Sequence, residues 1–74
     1  MKLSIVTPKT SERSIAVTKV FFPGAAGSFE VLENHAPMVA ALGNGDIVWD
    51  GGSRHIRSGF VEVRDNELTA VVDE

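Results

Sequence analysis

The sequence predicts an all-β domain, a flattened sandwich or barrel of about eight to ten short antiparallel strands. Apolar and polar residues alternate over short segments, as in half-buried strands, and do not recur at helical spacing. Turn-forming residues, including seven glycines and three prolines, separate those segments. Because a chain of 74 residues has room for one core, residues 1–74 are predicted to form a single domain.

Two strands are predicted before the first proline-glycine turn. Leu3–Thr7 alternates and ends at Pro8, which lacks the N–H group that a further ladder bond needs. Residues 9–13 are polar and turn-like, and a second strand runs over Ser14–Phe22. Its alternation fails at Val20-Phe21-Phe22, where we expect a bulge or an edge effect. The alternative is an outer face covered by something beyond this chain.

The stretch from Pro23 to Pro37 is the most densely punctuated part of the chain. It predicts a turn, a short strand over Ser28–Leu32, and a second turn. The residues expected to supply the unusual backbone angles of these and later turns are Gly24, Gly27, Asn34, Pro37 and Gly59.

The second half of the chain predicts one ambiguous strand and two hairpins. Met38–Leu42 has residues that favour helix, but Gly43 stops it after barely a turn and a half, so we predict a strand. The hairpins are Ile47–Asp50 with Arg54–Ser58 around Gly51-Gly52, and Phe60–Arg64 with Glu67–Val72 around Asp65-Asn66.

Composition excludes several classes of function. With a net charge of −3 and no basic residues interleaved with the aromatic ones, neither general nucleic-acid binding nor an oligonucleotide-binding small barrel is expected. No apolar run approaches the roughly 20 residues of a membrane span, and the N-terminus lacks the apolar region of a signal peptide. The chain has no cysteine for a disulfide and no paired ligands for a structural metal. A small domain without these can be stabilised by burial against a partner subunit.

Catalytic groups are not predicted. His35 and His55 lie twenty positions apart without further clustered ligands, which argues against a metal site. A triad of Ser28, His35 and Asp50 lacks any nucleophile-elbow spacing. The acidic pairs Glu30 with Glu33 and Glu62 with Glu67 are interpreted as solvated surface residues. The glycines do not form a phosphate-binding loop before a helix. We therefore predict no catalytic residue, no metal and no cofactor. His35 is interpreted as a turn histidine that donates to a backbone carbonyl, with an interface contact as the second interpretation.

Two segments carry a resemblance to a known family. P-G-A-A-G-S-F-E-V-L-E-N-H-A-P, from Pro23 to Pro37, and S-G-F-V-E-V, from Ser58 to Val63, resemble the epsilon subunit of the F-type ATP synthase, called delta in mitochondria. The usual sequence pattern of the family is close to P-G-x-x-G-x-F-G-V-L-P-G-H-A-P followed by S-G-G-F-V-E-V. The match covers essentially the whole chain and is specific because both segments occur in order and at the expected spacing.

The chain departs from the family's sequence pattern at three places. Glu30 stands where the family usually has Gly, Glu33-Asn34 stands for Pro-Gly, and Gly59 alone replaces Gly-Gly. Since Asn34 also tolerates a left-handed conformation, we expect the loop path to be unchanged. The two glutamates add charge to a loop that in the family approaches the ring of c subunits.

The resemblance implies a ten-stranded N-terminal β-sandwich and a non-catalytic rotor role in the central stalk of a proton-translocating synthase. The implied partners are the gamma subunit and the c-ring, with no nucleic acid, no direct nucleotide binding and no membrane insertion. The implied location is peripheral, on the cytoplasmic face of a bacterial inner membrane or the equivalent plastid face. The implied c-ring contacts are Ser28, Phe29, Glu30 and Glu33, and the implied gamma contacts are His35, Met38 and Phe22.

Two further expectations accompany this resemblance. Typical family members continue into two C-terminal helices that can inhibit hydrolysis and in some members bind ATP. Here Glu67–Glu74 ends where the family's last strand ends, so we expect no helical hairpin, no such inhibition and no ATP binding. The alternative function, which composition alone permits equally well, is a free-standing β-sandwich adaptor that binds other proteins.

Overall fold

The computed structural model describes residues 1–9 and 13–74, so part of the turn predicted at residues 9–13 lies outside the described residues. The described residues form nine strands and no helix. The strands are β1 (Lys2–Val6), β2 (Arg13–Ala16), β3 (Lys19–Phe22), β4 (Phe29–Leu32), β5 (Met38–Leu42), β6 (Gly45–Trp49), β7 (Gly52–Ile56), β8 (Ser58–Arg64) and β9 (Glu67–Asp73). The ambiguous segment Met38–Leu42 is therefore a strand, as predicted.

Two sheets form the predicted sandwich. The five-stranded sheet has the order β2-β1-β9-β8-β5, and the four-stranded sheet has the order β4-β3-β6-β7. One pair departs from the predicted antiparallel arrangement, because β1 runs parallel to β9, with Lys2 beside Glu67 and Val6 beside Val71. Hairpin signals in the sequence report only pairing between neighbouring strands, whereas this pair joins the two ends of the chain.

The predicted strand Ser14–Phe22 is two strands in different sheets. β2 pairs with β1, β3 pairs with β4 and β6, and the chain crosses between the sheets at residues 17–18. The predicted bulge at Val20–Phe22 is wrong, because the register of β3 against β4 is regular from Lys19 to Phe22. The strand instead has apolar residues on both faces, so Val20 is buried whereas Phe21 is 44% exposed.

The core lies between the sheets and is built from alternate residues of each strand. From the five-stranded sheet and its flanks come Leu3, Ile5, Leu42, Val61, Val63, Leu68, Ala70 and Val72, and from the four-stranded sheet come Val20, Phe22, Val31, Ile47 and Ile56. The accessible surface is 4465 Å², close to the roughly 4,400 Å² expected of a monomeric protein of 7.9 kDa. The chain is therefore about as compact as a monomeric protein of this mass.

The hairpin predicted around Asp65-Asn66 is confirmed. Arg64 lies opposite Glu67, and Asp65 and Asn66 have φ values of 51° and 61°, which is the two-residue turn whose twist matches that of the flanking strands.

The other hairpin turns one residue earlier than predicted. Trp49 lies opposite Gly52, so the loop is Asp50-Gly51 and Gly52 belongs to β7. A Cβ atom on Gly52 would lie 3.0 Å from Cζ2 of Trp49, so the glycine allows the indole ring to lie against the strand. The sequence pattern did not reveal this ring contact.

Candidate interaction surfaces

The predicted contact residues lie at two opposite ends of the sandwich. The Gly24 end carries the loop of residues 23–28 together with the end of β5. The Asn34 end carries the loop of residues 33–37 together with the Asp65-Asn66 turn. Strand β4 leads from the first end to the second, so the stretch from Pro23 to Pro37 spans the height of the molecule.

At the Gly24 end, backbone contacts hold the loop against β5. Gly24 forms a bridge with Leu42, the Gly43 N–H donates to the Pro23 carbonyl at 2.8 Å, and the Ala25 N–H donates to the Ala41 carbonyl at 2.9 Å. A Cβ atom on Gly24 would lie 2.3 Å from the carbonyl oxygen of Gly27, so no larger residue fits this turn. The loop is thus a fixed part of the sandwich.

Two of the aromatic residues predicted as contacts are structural. The rings of Phe22 and Phe29 stack with centroids 5.5 Å apart and an interplanar angle of 26°. Phe22 is 1% exposed, so the structure corrects its predicted role as a gamma contact: its side chain has no surface to offer a partner. Phe29 is half-buried against the core. The outward aromatic residue of β3 is Phe21, which the prediction did not select although it belongs to the apolar run that raised the question.

At the Asn34 end, two turns that are distant in sequence are bonded to each other. Asn34 has the predicted left-handed conformation, with φ of 63°. Its N–H donates to Oδ1 of Asn66 at 2.7 Å, and Nδ2 of Asn66 donates to Oδ1 of Asn34 at 3.2 Å. The reciprocal amide pair joins the β4–β5 loop to the β8–β9 hairpin, a contact that the sequence did not predict.

Glu33 lies at this same end and bonds the chain's first residue. The α-ammonium group of Met1 donates to a carboxylate oxygen of Glu33 at 3.0 Å and to the carbonyl of Val17 at 3.1 Å. The Glu33 side chain remains partly exposed. One of the predicted c-ring contacts is thus already engaged within the domain.

His35 has the local role predicted for a turn histidine. Its Nδ1 lies 2.7 Å from the carbonyl oxygen of Ala36. A carbonyl can only accept, so Nδ1 carries the hydrogen atom, and in the neutral ring Nε2 remains as an acceptor. Met38, the other predicted gamma contact on this side, is the first residue of β5 and packs partly against the core.

The structure therefore divides the predicted c-ring group. Ser28 and Glu33 lie at opposite ends of β4, about 17 Å apart at roughly 3.4 Å per residue, and Glu30 faces outward between them. The same separation keeps Ser28 away from His35, so the triad considered from the sequence is not assembled. Within residues 1–9 and 13–74, no group of three potential metal ligands comes together.

Asp50 instead secures the crossing between the sheets. Its carboxylate accepts from the N–H and the hydroxyl of Thr18 at 2.9 and 3.1 Å, and from the N–H of Lys19 at 3.4 Å. The Thr18 backbone hydrogen bond is the largest influence and lowers the pKa of the Asp50 carboxyl below its ordinary value. Desolvation opposes this effect, and the hydrogen bonds from the Lys19 backbone and the Thr18 hydroxyl add to it.

Both outer faces of the sandwich carry exposed apolar side chains. Those on the five-stranded sheet are Val39, Phe60 and Val71, and those on the four-stranded sheet are Phe21, Leu32 and Val48. The alternation in Ser58–Val63 already indicated that Phe60 and Glu62 share a face opposite Val61 and Val63. Only the sheet order showed which other residues surround them.

The fold and these surfaces can be compared with known proteins. Residues 1–74 match the family described as ATP synthase, Delta/Epsilon chain, beta-sandwich domain. The chain belongs to this family. Curated relatives include ATP synthase epsilon chains from Leptospira interrogans, 34% identical over 77 aligned residues, and from Anaeromyxobacter sp. strain Fw109-5, 38% identical over 77. Each alignment covers 99% of this chain but 61% and 58% of the relative, so the chain spans about three fifths of their length.

Two solved structures of mitochondrial ATP synthases contain a chain with the same fold. A chain of the Tetrahymena thermophila mitochondrial ATP synthase central stalk and c-ring superimposes with a TM-score of 0.83, over 99% of this chain and 63% of that one, at 15% identity. A chain of the Euglena gracilis mitochondrial ATP synthase gives 0.80 over 97% and 49%, at 20% identity. At these identities the likeness shows the fold. In the part of the chain that the structure describes, no helix is long and apolar enough to cross a membrane.

Proposed function

We propose that this domain is a non-catalytic part of the ATP synthase rotor that links the gamma subunit to the c-ring. The observation that carries the proposal is the family match over residues 1–74. The fold suits the mechanical needs of such a part, because two hydrogen-bonded sheets enclose one packed core. The domain would be peripheral to the membrane, held there by its partners.

The two ends of the sandwich are assigned to different partners in this proposal. The Gly24 end, with Ser28 and Glu30 exposed, would face the polar loops of the c-ring. The Asn34 end, with His35 and Met38, would lie towards the gamma subunit. The backbone bonds of the Gly24 loop to β5 and the Asn34–Asn66 pair make both ends rigid, so that torque applied at one end reaches the other.

The experiment is reconstitution into membrane vesicles that contain the synthase without this subunit. Adding the chain should restore association of the catalytic head with the c-ring and restore proton pumping driven by ATP hydrolysis. If the chain does not co-purify with gamma and c subunits and pumping stays absent, the domain is not a rotor part and the adaptor alternative replaces the proposal.

A charge reversal tests which end faces the c-ring. Glu30→Lys should weaken binding of the chain to purified c-ring, whereas Glu33→Lys, at the opposite end, should leave that binding nearer to that of the unchanged chain. Thermal unfolding of both variants controls for folding, which matters for Glu33 because it bonds Met1. A larger loss of c-ring binding for Glu33→Lys would reverse the assignment of the ends.

A further inference from the structure

The turn between β5 and β6 contains an asparagine followed by a glycine, Asn44-Gly45. In such a pair the backbone nitrogen of the glycine can attack the side-chain amide carbon of the asparagine, because glycine has no side chain to hinder the approach. Asn44 is exposed, and among the described residues none forms a hydrogen bond with its side chain. The Asn44 amide is therefore free to turn towards the Gly45 nitrogen.

The other two asparagines of the chain are held in place. Nδ2 of Asn66 donates to Oδ1 of Asn34 at 3.2 Å, and Oδ1 of Asn66 accepts from the Asn34 N–H at 2.7 Å. Neither is followed by glycine, because His35 and Glu67 come next in the chain. Asn44 thus differs from both in its freedom and in its neighbour.

Strand β6 has a second pair of this kind at its other end, Asp50-Gly51. An aspartate side chain can be attacked by the following nitrogen in the same geometry. The Asp50 carboxylate, however, accepts hydrogen bonds from the N–H and the hydroxyl of Thr18 and from the N–H of Lys19. The two pairs therefore differ in whether the side chain is free to move.

The nitrogen that would attack lies where the sheet is easiest to open. Gly45 is the first residue of β6, and its pairing with Ile56 is the last of the β6–β7 ladder. Terminal pairs open at a lower free energy than central ones, so a local opening can expose the Gly45 nitrogen while the domain stays folded.

The fold also requires the glycine that makes Asn44 reactive. A Cβ atom on Gly45 would lie 2.7 Å from Cβ of Pro23, closer than side chains pack. The residue before it is anchored as well, because the Gly43 N–H donates to the Pro23 carbonyl at 2.8 Å. Packing against Pro23 therefore keeps a glycine directly after Asn44.

We propose that Asn44 is a site of spontaneous deamidation in the folded domain. The Gly45 nitrogen gives up its proton and forms a bond to Cγ of Asn44, the bond from Cγ to the amide nitrogen breaks, and ammonia leaves with that proton. Water then opens the resulting succinimide at either carbonyl, which gives aspartate or isoaspartate at position 44. The reaction needs only water, and the inference does not depend on the proposed function.

Both products alter the Gly24 end of the sandwich. Each replaces a neutral amide with a carboxylate, so the net charge changes from −3 to −4. In isoaspartate the backbone also runs through one additional carbon atom. Because Gly43 and Gly45 both contact Pro23, the longer backbone must strain this turn or move it away from Pro23.

The test is incubation of the folded chain at mildly alkaline pH, well below its unfolding temperature. Ion-exchange chromatography should resolve a more acidic form with time, and mass spectrometry of the proteolytic peptides should locate the change at Asn44. Methylation of the product by purified protein isoaspartyl methyltransferase detects the isoaspartate. Asn44→Gln should abolish the acidic form, because the longer side chain would have to close a less favourable six-membered ring.

A matched control is available at the other end of β6. Asp50→Asn creates a second Asn-Gly pair in the same chain, and its amide oxygen can still accept from the N–H groups of Thr18 and Lys19. In the folded variant, residue 50 should deamidate about tenfold more slowly than Asn44, since its side chain must first release these hydrogen bonds. In concentrated urea both positions should react within about threefold of each other, since the hydrogen bonds are then lost. Circular dichroism confirms that the variants are folded before incubation.

Three results would overturn the inference. The first is an unmodified Asn44 in the folded chain, whether or not the unfolded chain reacts. The second is deamidation that reaches Asn34 or Asn66 before Asn44. The third is equal rates at residue 50 and Asn44 in folded Asp50→Asn, which would show that side-chain freedom does not select the site.

Discussion

Replacing Phe22 with alanine should destabilise the domain far more than the same replacement at Phe21, one residue earlier. The two side chains differ only in the face of β3 on which they lie. Phe22 is 1% exposed and stacks on Phe29, whereas Phe21 is 44% exposed and contacts its neighbours across the outer face.

The magnitude follows from what each replacement removes. Truncating a fully buried phenylalanine costs about 3 to 5 kcal/mol, because transfer energy is lost and a cavity remains. At Phe21 the loss is confined to surface pairs such as that with Val48, which are worth about 0.2 to 1 kcal/mol. The whole domain should be stable by roughly 4 to 11 kcal/mol, from its 74 residues at 0.05 to 0.15 kcal/mol each.

Thermal and urea unfolding measure the difference directly. For 74 residues the entropy of unfolding is about 155 cal/mol/K, so each kcal/mol shifts the midpoint by roughly 6 °C. Phe22→Ala should therefore lower the midpoint by about 20 to 30 °C, or leave the chain unfolded, and Phe21→Ala should lower it by less than about 6 °C. Equal shifts, or a larger shift for Phe21→Ala, would refute the placement of the two rings on opposite faces.

Three other predictions concern turns and crossings. Gly59→Ala should lower the free energy of unfolding, measured by urea titration, by roughly 2 to 4 kcal/mol, because φ is 152° and the added Cβ would lie 2.3 Å from the Val71 carbonyl oxygen. Gly27→Ala, with φ of 138° but no atom within 4 Å of the added Cβ, should lower it by less. Asn66→Ala should cost about 1 to 2 kcal/mol and speed hydrogen exchange at the Asn34 amide, and unchanged exchange would contradict the reciprocal pair. The lowered pKa of Asp50 stabilises the fold above the ordinary carboxyl value near 4, and that contribution is lost as pH falls through the folded pKa. Asp50→Asn should therefore lower the urea midpoint at pH 7 more than at pH 2; an equal reduction at both would contradict this account.

The local features of the fold followed from the sequence. Asn34 has the predicted left-handed conformation, and the predicted turn at Asp65-Asn66 also uses positive φ values, because Asn and Asp tolerate the left-handed region. His35 bonds a carbonyl one residue away, and the hairpin β8–β9 has the predicted turn. Each of these depends on a few adjacent residues, so a pattern in the sequence is sufficient.

The candidate surfaces followed only in part. Ser28, Glu30 and Met38 were predicted as contacts and remain proposals, whereas Phe22 is in the core and Phe21 and Phe60 were not selected. Alternation alone assigns two faces to a strand but does not say which face is the core when both are apolar, as at Val20-Phe21-Phe22 in β3.

By itself, the sequence determined the fold class, the family and the turn at Asp65-Asn66, but it placed the other hairpin turn one residue too late. The tertiary structure decided which strands share a sheet, that β1 runs parallel to β9, and that Asn34 bonds Asn66 across 32 residues. The physical reason is that turns are governed by the sterics of adjacent residues, whereas strand order and the faces of the sandwich are set by burying one core from segments far apart in the chain.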